Sequence, residues 1–213
     1  MTTAASASSQ MGQSPFDFVP QPTQDSDLLK QLAFVPGLKE LLMLRQVHAL
    51  EHATVWVLSQ SPASPAPTRI ASASPADNEG LGGMSTDSGF YLYGNVSTAT
   101  LQRAVRRALQ RITTGEWDLA VHPRCGTNLS VGMLLTAGLA VGIHLLLPRG
   151  PIEQLIGLGI AATTASQLAP DVGSVAQRYV TTAIPFNLVI DDITITRDLW
   201  GRSAHFVRVR WNE

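Results

Sequence analysis

One cysteine, Cys125, in 213 residues excludes an intrachain disulfide. A reducing compartment is compatible with that and not demanded by it. Charge is scarce. Asp, Glu, Lys and Arg make up 15% of the chain, against roughly 25% in typical soluble domains. Mean hydropathy is +0.11, and the two values together point to contact with a lipid bilayer. The net charge of −1 leaves no basic surplus, so nucleic acid is not an expected partner. No Lys or Arg occurs before Lys30, and the opening residues carry no apolar run. A cleaved signal peptide and a transit peptide are therefore not expected. Residues 1–27, rich in Ser, Ala, Thr, Gln and Pro, read as a disordered tail.

Proline and glycine are missing from residues 38–60, just after Pro36-Gly37, and that stretch predicts a helix. It contains His48-Ala49-Leu50-Glu51-His52. Residues four apart on a helix share a face, about 6 Å along the axis. His48 and His52 can then aim two imidazoles at one point, with Glu51 on the adjoining stripe. Paired imidazoles suit a divalent metal, zinc being the best match. A carboxylate beside them can take a proton from water activated by the metal. The order His-x-x-Glu-His inverts the common zinc-protease pentapeptide. The bland alternative is a polar stripe that hydrogen-bonds to neighbouring backbone. Lys39, Glu40, Arg45 and the motif itself place too many ionisable groups on this helix for a membrane span.

Around this helix the chain alternates between breakers and short elements. Residues 28–35 predict a short helix, and the Ser/Pro-rich residues 61–84 a linker. Phe90-Tyr91-Leu92-Tyr93 predicts a strand. Ser97 is a candidate N-cap for a helix to about Thr113, with Leu101, Val105, Ala108, Leu109 and Ile112 as its apolar stripe. Arg103, Arg106, Arg107 and Arg111 line the other side, as a solvated face or an attraction to anionic lipid. Residues 117–121 predict a second strand, and the three elements form a small α/β unit.

No charged residue lies between Arg124 and Arg149. Residues 129–147 are long and apolar enough to cross a bilayer as a helix. Gly132, Gly138 and Gly142 offer close helix contacts. A turn at Pro148-Arg149-Gly150-Pro151 leads to residues 152–168, at the short limit for a span. The pair predicts a membrane helical hairpin, the bland alternative being a helical pair buried in a soluble core. His144 inside it reads as a hydrogen-bonded neutral imidazole. After Pro170, residues 187–196 and 204–211 alternate as strands, with Val207, Val209 and Trp211 opposite Arg208 and Arg210.

Immediately before the uncharged run stands His122-Pro123-Arg124-Cys125-Gly126-Thr127-Asn128. His122 and Cys125, three apart in a tight loop, are both zinc-ligand types. Gly126 allows a left-handed turn, and Thr127 or Asn128 can cap the next helix. The alternative is a plain helix entry with Cys125 buried. HALEH followed by HPRCGTN resembles the YqhQ-like family of predicted metal-dependent membrane proteins, which pair HGxEH with HPRCGTS. It is most similar to cyanobacterial and plastid-type members of unknown function. The resemblance covers roughly residues 40–58 and 117–170. Ala49-Leu50 and Asn128 depart from the family pattern without touching a candidate ligand. It implies a membrane protein with a metal and no particular reaction.

The expected architecture is α+β: a motif-bearing helix, a small α/β sheet unit and a membrane helical hairpin. The chain is expected in a plasma or thylakoid-type membrane. Two functions follow. In one, the chain is a membrane-bound zinc hydrolase. His48, His52 and either His122 or Cys125 bind the metal and Glu51 is the base. In the other, all four side chains close around a structural metal, and the protein acts in assembly or interaction.

Overall fold

The computed structural model describes residues 19–60, 80–148 and 150–212. Most of the 1–27 tail, most of the 61–84 linker and Arg149 lie outside the described residues. The fold is mixed α+β, with five α-helices and one four-stranded antiparallel sheet among the described residues.

α1 (Gln24–Gln31) begins inside the expected tail and ahead of the expected 28–35 helix. Asp25 and Asp27 in its first turn and Lys30 in its last match the helix dipole, which explains the earlier start. α2 (Leu38–Ser59) is the axis of the molecule. It is buried on most sides, and its buried polar residues find internal partners instead of solvent. The Gln46 side-chain amide donates to Asp25 (2.6 Å) and Asn187 (3.1 Å), and its carbonyl accepts the Asn187 N–H (3.2 Å).

β1 (Gly82–Thr86) and β2 (Gly89–Tyr93) form a tight hairpin. α3 (Thr98–Thr113) follows, its N-terminus capped by the Ser97 hydroxyl accepting the Thr100 N–H (3.2 Å). Its expected apolar stripe turns inward: Leu101, Val105, Ala108 and Ile112 are fully buried. Residues 117–121 correct the sequence reading. Trp117–Ala120 is a 3-10 helix, not a strand, because Leu119 and Ala120 tuck under the helices instead of pairing with the sheet. The small α/β unit is therefore strand, strand, helix. β3 (Leu188–Arg197) and β4 (Ser203–Trp211) complete the sheet in the order β1-β2-β4-β3. Phe90, Leu92, Val207 and Val209 on the sheet meet Val47, Leu50, Leu101 and Val105 on α2 and α3. Each such buried side chain contributes about 1.5–3 kcal/mol.

α4 (Gly126–Leu146) and α5 (Pro151–Ala176) form a helical hairpin that packs chiefly on itself. Gly126 is the first helical residue and takes no left-handed conformation. The cap is the Cys125 side chain, accepting the Thr127 N–H, not Thr127 or Asn128. α5 outruns the expected 152–168 and passes through Pro170 before a π-helical turn at Gln177–Thr181. On α4 Gly132 stands against Ala169 of α5, and on α5 the buried positions are Gly157, Ala161, Ala165 and Gly173, spaced by multiples of four. Gly138 and Gly142 on α4 face open space. His144 bonds through Nδ1 to the Gln154 side-chain carbonyl (2.7 Å), as a neutral imidazole can. α4 has no buried residue, and Leu129, Leu134, Leu145, Leu155 and Ile156 all stand exposed. It is long and apolar enough to cross a membrane, at about 31 Å for 1.5 Å per residue.

Candidate metal centre

The helical spacing of the motif does what it predicts. The rings of His48 and His52 lie 4.4 Å apart on one face of α2. Each is oriented by a backbone carbonyl. His48 Nδ1 meets the Thr181 carbonyl (3.0 Å), and His52 Nδ1 meets the Ala120 carbonyl (2.6 Å). A carbonyl only accepts, so Nδ1 of both rings donates, which leaves Nε2 as the nitrogen available to another partner. An N–H to carbonyl bond behind the ligating nitrogen is the usual support of a metal-binding histidine.

Both rings converge on Cys125. Its Sγ lies 3.3 Å from His48 Nε2, close to the roughly 3.5 Å expected between tetrahedral ligands 2.0–2.3 Å from one ion. Donor atoms of His48, His52 and Cys125 all lie within 4.8 Å of one another. Burial alone would push the Cys125 thiol up; hydrogen bonding to His52, the charge that ring carries when protonated and the bonds to Thr127 outweigh it and hold the thiol below its ordinary range. A thiol that gives up its proton readily is a better metal ligand. Two imidazoles and one thiolate make a donor set that can hold a metal ion, and its chemistry suits zinc.

His122 is placed beside this group and not within it. Its buried ring packs against Trp56 (centroids 4.7 Å apart) and His52 (5.6 Å), and its Nδ1 accepts the Arg124 N–H (3.3 Å). Trp56 in turn donates to the Val121 carbonyl (3.0 Å), which fixes the loop over α2. Sequence reasoning missed the amide relay that seats this loop on the hairpin. His122 N–H donates to Gln177 Oε1 (2.8 Å), Gln177 Nε2 to Asn128 Oδ1 (2.7 Å), and Asn128 Nδ2 to the Pro123 carbonyl (2.7 Å). No local pattern marks an isolated glutamine for that role.

Glu51 is buried and reaches β1. The Ser85 hydroxyl donates to its Oε2. Burial raises its pKa above the usual carboxylate value, and the Ser85 bond and nearby His48 only partly offset this. It makes no ion pair with Arg45 or Arg124 among the described residues; Arg45 donates to the carbonyls of Tyr179 and Thr182, and Arg124 to that of Leu81. Glu51, His48, His52 and Cys125 all border one cavity of about 650 Å³. The Glu51 carboxylate lies where a Cβ on Gly83 would sit. Gly83→Ala should therefore displace Glu51 while leaving the three metal donors in place. The expected result is metal uptake by the His48, His52 and Cys125 group equal to that of the parent, read by metal analysis of the two proteins side by side.

The family described as Domain of unknown function (DUF6391) matches residues 43–193. That span takes in both motifs, the cavity and the hairpin. The chain belongs to this family. An uncharacterised protein of Picosynechococcus sp. (strain ATCC 27264 / PCC 7002 / PR-6) is 53% identical over 196 residues, covering 92% of this chain and 93% of its own length. No solved structure matches the chain. The cyanobacterial relative agrees with the direction of the sequence resemblance, and neither comparison names a reaction.

Proposed function

We propose that this chain is a zinc-dependent hydrolase held in a membrane by the α4–α5 hairpin. The observation that carries this reading is the shared cavity. Three metal donors and a carboxylate with no ion pair among the described residues border one open space. His48, His52 and Cys125 would hold the ion. A zinc ion with three protein ligands acidifies water and polarises a carbonyl. Glu51 would accept a proton from water in the cavity and return it to the leaving group, and the Ser85 hydroxyl would orient its carboxylate. The resemblance to YqhQ-like proteins is in keeping with a metal in a membrane protein. The test uses purified full-length protein in detergent. About one equivalent of zinc per chain is expected, and a chelator should remove both the metal and any esterase or amidase activity, with zinc restoring both. Full activity in chelator-treated, zinc-free protein would sink the reading.

A structural metal is the second reading. One observation favours it: Cys125 opens the hairpin and Thr181 follows it, so an ion here would clamp the hairpin to α2. The clamp requires a closed coordination shell, whereas these donors border an open cavity, and that supports the enzyme.

The membrane part rests on α4, whose apolar side chains are exposed and whose length matches a hydrocarbon core of ~30 Å. Contiguous exposed apolar side chains of this kind mark a surface that contacts a membrane or a partner. Membranes washed with alkaline carbonate should retain the protein. Its recovery as a detergent-free soluble monomer would refute insertion.

A further inference from the structure

β1 is an edge strand. It pairs with β2 on one side, and among the described residues no strand pairs with its other side. Four consecutive residues, Gly82, Gly83, Met84 and Ser85, border the cavity. A strand touched on one face contributes every second residue. Contact with both parities means that the cavity runs along the backbone edge of β1. That edge offers a row of N–H and C=O groups for a fifth strand. The same cavity is bordered by the three metal donors and by Glu51, which packs against Gly83.

We infer that the cavity takes an extended peptide segment, hydrogen-bonded along the open edge of β1, and that the hydrolase is therefore a peptidase. This rests on the hydrolase reading above and names its substrate. Main-chain pairing to a strand edge binds a peptide largely regardless of side chains, while flanking pockets select alternate residues. Exposed Leu41, Leu44 and Val180 border the same cavity and suit apolar side chains. An acyl chain would leave the polar edge of β1 unpaired, whereas a peptide satisfies it. The site also lies at the open end of the hairpin, between Cys125 and Thr181, which brings it to the membrane surface when the hairpin is inserted. The segment is then one that borders a bilayer.

The reaction balances as amide hydrolysis. Glu51 takes one proton from water as the water oxygen bonds to the peptide carbonyl carbon. The C–N bond breaks, and Glu51 passes that proton to the departing nitrogen. The new carboxylic acid releases the second water proton to the amine. Nothing is oxidised or reduced.

The test uses zinc-loaded full-length protein in detergent with two probes. One is a mixture of capped, fluorescence-quenched ten-residue peptides that alternate apolar and polar residues. The other is a long-chain fluorogenic acyl ester. Peptide cleavage is expected. Methylating successive backbone nitrogens of a cleaved peptide should lower kcat/KM up to about tenfold at every second position and little between, as loss of single edge hydrogen bonds predicts. The same alternation should appear in binding of that peptide to the Glu51→Gln protein, read by fluorescence anisotropy. Sensitivity without alternation overturns edge pairing. Ester hydrolysis that depends on Glu51, with no peptide cleaved or bound, overturns the peptide inference and leaves the hydrolase standing. Alternating peptide binding with neither probe hydrolysed overturns the hydrolase reading and the peptidase with it.

Discussion

Glu51→Gln should leave zinc content and thermal stability near those of the parent and lower turnover by ~10²-fold or more, the range of a lost general base. Glutamine keeps the size of the side chain and can still accept the Ser85 hydroxyl hydrogen bond. It cannot take a proton from water. The separation of effects matters more than the size. Glu51 touches Gly83 and Ser85 on β1 and is not one of the clustered metal donors, so metal binding and base function are carried by different atoms. Under the structural-metal reading the variant should match the parent in every assay. Full activity in Glu51→Gln would reject the base.

His52→Ala should weaken zinc binding by ~10²-fold or more. Structural zinc binding of about 10–16 kcal/mol, shared over four ligands, assigns roughly 3 kcal/mol to each. His52 is the sharper choice of the two imidazoles. It is 4% exposed, and its Nδ1 bond to Ala120 is the shorter of the two carbonyl contacts. Its removal also leaves the buried Ala120 carbonyl without that donor, so some loss of stability accompanies the loss of metal. Competition with a chromophoric chelator gives the affinity, and a melt with and without zinc separates the two effects. Parental zinc affinity in His52→Ala would dissolve the proposed centre. His122→Ala provides the contrast: its ring stands beside the donors, so the same competition should change much less.

The helices were legible because their signals are local. An unbroken run gives α2, an uncharged run gives α4, and Ser97 announces α3. β1 gave no such signal. Gly82-Gly83-Met84-Ser85-Thr86 has almost no strand preference and adjoins a Ser/Pro-rich stretch. Pairing with β2 and contact with Glu51 impose its conformation. Trp117-Asp118-Leu119-Ala120-Val121 erred in the opposite way, with strand-like residues drawn into a 3-10 helix by burial of Leu119 and Ala120. Within the centre, the side chains were readable from type and spacing. Their supports were not, since Ala120 and Thr181 contribute only carbonyls, which every residue has. Type alone did not separate His122 from Cys125 either: both are buried, and it is the Cys125 Sγ that lies within 4.8 Å of the His48 and His52 donors.

The carbonyl of Thr181 has a consequence for how the protein matures. One donor, Cys125, stands just before α4, and the carbonyl that orients another, His48, comes from just after α5. The whole hairpin lies between them in sequence. A nascent chain carrying α2 alone has the imidazoles but neither the thiolate nor their orientation. It can capture the ion tightly only once both ends of the hairpin are seated on α2. Because metal binding adds its free energy to the state that binds it, insertion and metal loading each favour the other. Under the proposed function, the centre would act as a checkpoint on assembly, and a chain would gain its activity only after the hairpin is seated.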